Sequence, residues 1–96
     1  MENVRITKDN ISEICSEINS TDPAYVAYHV KVGDTTKQMK HEIRGKFYLD
    51  LYGHIMVLLR EIVPIAGLGD TISYNKEKKT FSITNDEGDV QKIIHN

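Results

Sequence analysis

Tyrosine, histidine, lysine and arginine recur at alternate positions between Ala24 and Tyr52, a spacing that gathers them on one side of an extended chain. Read as strands, that side carries Tyr25, His29, Lys31, Gln38, Lys40, Glu42, Arg44, Tyr48, Asp50 and Tyr52. The binding set it suggests is Tyr25, His29, Lys31, Lys40, Arg44, Tyr48 and Tyr52. Such rings can stack nucleobases while the cations meet phosphate, or the same surface can contact another protein, where Tyr and Arg are favoured. Glu42 and Asp50 interrupt the set and the net charge is −2, which favours the protein partner.

The remaining reactive side chains suggest less chemistry. His29, His41, His54 and His95 form no short metal-ligand spacing, so no metal or other cofactor is expected. His41 falls on the apolar side of the run, where a hydrogen-bonded neutral imidazole is the plain reading. In an enzyme, His41 or His54 would be the general base. Cys15 lies on an apolar stripe with Ile11, Ile14 and Ile18, as an inert buried thiol would. No serine occupies a nucleophile-elbow pattern and no glycine-rich phosphate loop is present. The acidic run Asn85 to Asp89 lacks the alternating oxygen ligands and distal Glu of a calcium loop and reads as a turn. The chain is therefore read as a non-enzymatic protein.

These side chains need elements to position them. Ile6 and Thr7 ahead of Ile11, Ile14, Cys15 and Ile18 predict an amphipathic helix with Thr7 as N-cap, ended by Asn19 to Pro23. A three-stranded meander then follows. Gly33-Asp34 joins the first two strands, with Val32 opposite Thr35, Tyr28 opposite Met39 and Val26 opposite His41. Arg44-Gly45-Lys46 returns a third strand, with Ile43 facing Phe47 and Lys40 facing Asp50. The spacing of Met39, Ile43, Phe47, Leu51, Ile55, Leu58 and Ile62 leaves a single helix over 36–63 as the alternative, opposed by Gly45 and Gly53.

His54 to Ala66 is apolar nearly all round and predicts a helix buried under the sheet or between two protomers, with Asp50 as its cap. Pro64 and Gly67 to Asp70 end it. Thr71 to Tyr74 and Lys79 to Thr84 predict a hairpin, and Asp89 to His95 a third strand or a terminal helical turn. The order helix, three strands, helix resembles double-stranded RNA-binding domains in outline. Gly53-His54-Ile55-Met56 stands where that family carries lysines, so its activity is not carried over.

The expectation is one α+β domain over 1–96 with a mostly antiparallel sheet: N-terminal helix, three-stranded meander, apolar helix, C-terminal hairpin and possible third strand. Lone Cys15 and the absence of an apolar leader or long apolar span point to a cytoplasmic protein that neither enters nor crosses a membrane. Function is read as a small inhibitor or adaptor acting by protein contact, with a homodimer as one form. A nucleic-acid or nucleotide binder is the alternative.

Overall fold

Helix α1 (Ile11–Ser20) buries Ile11, Ile14, Cys15 and Ile18, the stripe its spacing predicts. In the computed structural model, which describes residues 2–96, its first turn is prepared earlier in the chain. The Thr7 carbonyl accepts from the N–H groups of Asn10 and Ile11 at 3.3 and 3.0 Å, while the Thr7 N–H donates to Asn10 Oδ1 at 2.8 Å. Asn10, and not the expected Thr7, holds the N-cap position; its side chain bonds no helix N–H and reaches back to Thr7 instead. Ile6, just ahead of it, is only 1% exposed and joins the core.

Strands β2 (Tyr25–Val32) and β3 (Thr35–Glu42) form the hairpin in the register the alternation predicts: Val32 with Thr35, Tyr28 with Met39, Val26 with His41. Gly33 takes φ +62 at the first of the two loop positions, the pattern of a type II′ turn. Strands β7 (Thr71–Asn75), β8 (Thr80–Thr84) and β9 (Val90–His95) follow as an antiparallel meander. Asn75 and Asn85 shape the connecting turns, each accepting two backbone N–H bonds on its Oδ1. With β1 (Val4–Arg5) at one edge, these make a six-stranded sheet in the order β1-β7-β8-β9-β2-β3.

Between β3 and β7 the chain departs from the expected architecture. No helix forms over His54 to Ala66. The segment is a hairpin of β5 (His54–Leu58) and β6 (Ile62–Gly67), and β4 (Tyr48–Leu49) completes a separate three-stranded sheet with it. Five β-branched residues, Ile55, Val57, Ile62, Val63 and Ile65, favour extended backbone here. Pro64, which would break a helix, sits instead on the edge strand beside the register shift that follows Ile55. Helical and extended readings of this segment differ little in periodicity because both of its faces are apolar. The helix expected over 36–63 is excluded by the same strands, as is the helix-three strands-helix order.

The third strand of the first meander is also corrected. After β3 the chain does not turn back: the Ile43 N–H donates to Ala24 O at 2.9 Å and the Arg44 N–H to Leu58 O at 2.9 Å, so the chain passes from the large sheet to the small one. Phe47 reaches the core through Asn19, whose Nδ2 donates to Phe47 O and whose Oδ1 accepts the Phe47 N–H, both at 2.9 Å. Tyr48 and Leu49 consequently pair with Met56 and Ile55 rather than with β3. Lys40 and Asp50 are not cross-strand partners.

One core joins the layers. Val26, Ile72, Phe81, Ile83 and Ile94 of the large sheet meet Ile55, Val57 and Ile65 of the small sheet and the buried stripe of α1. Cys15 lies within it, where burial pushes the thiol above its ordinary value.

Candidate functional site

The seven residues of the expected binding face fall on two separate surfaces. Tyr25, His29, Lys31 and Lys40 share the outer side of the large sheet, because cross-strand partners share a face: Tyr25 lies opposite Glu42, Ala27 opposite Lys40, His29 opposite Gln38 and Lys31 opposite Thr36. Arg44, Tyr48 and Tyr52 belong to the small sheet and its loops. The crossing at Ile43 and Arg44 divides the set.

Strand β9 supplies what sequence could not place on the first surface. His95 lies flat on Tyr25, with ring centroids 4.4 Å apart and an 8° angle between planes. Lys40 Nζ stands 5.4 Å from the centroid of the same ring. Since Tyr25 lies between β9 and β3, its two sides are taken by these neighbours. Burial, and after it the Lys40 charge, hold His95 below its ordinary value, so the neutral ring is favoured in the stack. A nucleobase would have to displace His95 or Lys40 to use Tyr25 as a stacking platform. Elsewhere on this surface Ser73, Ser82, Thr80 and Ile93 border an open groove of about 530 Å³.

The small sheet offers a different surface. Along β5 the side chains alternate: Ile55 and Val57 are buried, whereas Leu58 is exposed and Met56 half-buried. Register places Tyr48, Met56 and Pro64 in one outward row and Leu58 with Ile62 in the next. Arg44, bound through its N–H to Leu58, extends the second row. Tyr48 is 43% exposed, Ile62 57%, and in the β4–β5 loop Leu51 and Tyr52 reach 96% and 81%. These are apolar groups on a sheet face that no other element of the described chain covers. Arg44, Lys46 and Arg60 are exposed around it, with Glu61 the neighbouring acid.

His54 and Asp50 close one end of this face. Asp50 Oδ1 accepts the N–H groups of Tyr52 and His54 at 2.9 and 2.8 Å, and Oδ2 meets His54 Nδ1 at 2.9 Å. Burial alone would raise the Asp50 carboxyl. The backbone bonds from His54 and Tyr52 and the His54 ring outweigh it and keep the group below the ordinary carboxylate range. Asp50 therefore caps no helix, contrary to expectation, and its carboxylate closes the β4–β5 turn instead. The signal available in sequence was an aspartate ahead of Gly53-His54, a turn pattern masked by the helical reading.

Comparison with known protein families, with curated sequences and with solved structures finds no match for this chain.

The other titratable groups are scattered. His54 borders a groove of about 390 Å³ that Lys92 and Asp70 also line. Lys92 is half-buried on the core side of β9; burial lowers its affinity for the proton and the Asp70 charge partly restores it. His41 is half-buried 5.7 Å from Tyr28, in a cleft that Arg60, Glu61 and Val63 also line. Among the described residues no three His, Cys, Asp or Glu side chains gather as metal ligands, and no helix is long and apolar enough to cross a membrane.

Proposed function

We propose that this is a non-enzymatic binding protein, an inhibitor or adaptor, that works by contact with another protein through the outward face of the small sheet. The observation that carries this reading is the two-sided apolar character of β5 and β6. One side fills the core through Ile55, Val57 and Ile65, and the other exposes Leu58, Ile62 and Pro64 beside a half-buried Met56. A contiguous exposed apolar patch marks a surface for association. Tyr48, Tyr52 and Arg44 at its margin are residue types that anchor protein interfaces.

The rim indicates the partner's chemistry. Arg44, Lys46 and Arg60 would face their own copies or near neighbours if this patch packed on itself, and like charges across an interface oppose association. The partner that fits is a different protein with an apolar centre and acidic margin.

A photocrosslinking residue at Ile62, compared with one at Ser82 on the large sheet, tests this in lysate of the native host. The expected result is one crosslinked protein species at Ile62, absent at Ser82 and lost when Leu58→Lys is added to a chain that still folds. Equal labelling at both positions, labelling unaffected by Leu58→Lys, or a crosslink only between two copies of this chain would overturn the reading.

A further inference from the structure

The β2–β3 hairpin extends beyond the body that supports it. Strand β9 pairs with β2 only from Tyr25 to Tyr28, so His29 to Val32 and their partners Thr35 to Gln38 form a two-stranded arm with no third strand. At roughly 3.3 Å per residue the unsupported part reaches about 13 Å past the sheet. All ten of its residues, His29 to Gln38, are exposed. Its core-facing side nonetheless continues the apolar row of Val26 and Tyr28 with Val30 and Val32, which are 37% and 56% exposed. An isolated two-stranded hairpin is marginal in water and is stabilised by packing on something else.

Charge identifies what that something is. From His29 to Gln38 the arm carries two lysines, Lys31 and Lys37, against Asp34 alone, a net of +1 on a chain of net −2. The remainder therefore carries −3. On the body, the solvent side of α1 presents Ser12, Glu13, Ser16, Glu17 and Ser20, all exposed, with Lys8 and Asp9 offsetting each other just before the helix. The serines leave room for close approach, and no lysine or arginine lies within α1 to neutralise the glutamates. A nucleic acid drawn to two lysines would be repelled by this body, whereas a second copy offers the arm an acidic surface and receives an arm in return.

We propose that the arms clasp a second copy of the chain in a reciprocal two-fold dimer. The Val30 and Val32 side of each arm lies on the other copy's α1, and Lys37, which pairs with Val30 and shares that side, meets its Glu13 and Glu17. The contact is isologous, as two-fold closure requires. It leaves the outward face of the small sheet free for a different protein.

Sedimentation equilibrium from low micromolar to near-millimolar protein, in low and high salt, reads the dimer directly. The wild-type chain is expected to dimerise more weakly in high salt. Lys37→Glu, and separately Glu13→Lys with Glu17→Lys, are expected to weaken it by about tenfold or more, whereas Lys31→Glu on the other side of the arm weakens it less. The three contact changes together restore it, because the charges are exchanged rather than removed. Circular dichroism establishes that each variant folds. A monomer at every concentration, a dimer indifferent to Lys37→Glu, or a triple variant no better than either parent would overturn the proposal. So would a monomer whose arm instead binds duplex DNA with a steep salt dependence.

Discussion

Replacing Asn19 by alanine should cost more than any other single change of a polar side chain at the surface of α1. Its amide forms a two-bond bridge to the backbone of Phe47, standing in for a strand neighbour where the chain crosses between sheets. Phe47 is 3% exposed, so its freed N–H and C=O are poorly placed to recruit water. A net hydrogen bond contributes about 1 kcal/mol, and a buried group left without its partner costs about 1–3 kcal/mol. For two partly buried groups the sum is about 2–4 kcal/mol. That is a large share of the roughly 5–15 kcal/mol that stabilises a whole domain. At about 4–8 °C per kcal/mol for a domain of this size, the melting midpoint should fall by about 8–32 °C. Urea unfolding followed by far-ultraviolet circular dichroism measures it. Ser20→Ala serves as the control, since Ser20 Oγ bonds only to Glu17 O one turn back on the exposed side of the same helix. It should change stability by less than about 0.5 kcal/mol. If Asn19→Ala costs no more than Ser20→Ala, the bridge does not hold the crossover and the account of why Tyr48 joins the small sheet is wrong.

Two further substitutions separate backbone strain from steric conflict. Gly53 has φ +84, and a Cβ there would lie 2.6 Å from Leu68 Cδ1 and 2.7 Å from Cγ, whereas Gly33 at φ +62 has nothing within 4 Å of the same position. Both Gly→Ala changes should cost about 1–2 kcal/mol for the left-handed backbone, and Gly53→Ala distinctly more; equal losses in urea unfolding would deny the Leu68 contact. The pH dependence of stability should carry a His95 contribution. Its folded-state proton affinity lies below the ordinary value of 6.5, so the unfolded chain takes up the proton first as pH falls. That contribution is fully present above pH 6.5 and is lost as pH falls from there to the lower folded-state value. His95→Gln should flatten the curve in that window, and an unchanged slope would count against the Tyr25 stack.

Legibility followed the contrast between faces. In β2, β3, β7 and β8 one side is polar, so alternation gave both the strands and, for the first hairpin, the pairing of Tyr28 with Met39 and Val26 with His41. Helix α1 was equally plain because Ile11, Ile14, Cys15 and Ile18 fall on one stripe and Ser12, Glu13, Ser16 and Glu17 on the other. The β5–β6 segment failed for the reason that makes it interesting: with Met56, Leu58 and Ile62 outward, no polar face remains to report period two. The grouping of Tyr25, His29, Lys31 and Lys40 needed only local alternation and was visible. That His95 covers Tyr25 was not, since the partner arrives from the far end of the sequence. Arg44, Tyr48 and Tyr52 were assigned to the same face because nothing local marks Ile43 and Arg44 as a passage from one sheet to another.

The position of β9 has a kinetic consequence. It is the last strand in chain order but lies between β8 and β2, and its pairing of Ile94 with Val26 and His95 with Tyr25 spans most of the sequence. The β2–β3 hairpin and the β7–β8–β9 meander can each close locally and early, yet the two join only when β9 meets β2. Closing so long a loop is slow compared with forming a hairpin. During that interval the β2 edge from Tyr25 to Tyr28 and the outer edge of β9 stand open together, and each can pair with the other's counterpart in a neighbouring molecule. Refolding yield should therefore fall with protein concentration through exchange of β9 between chains, a hazard set by the order of the strands and not by the stability of the finished sheet.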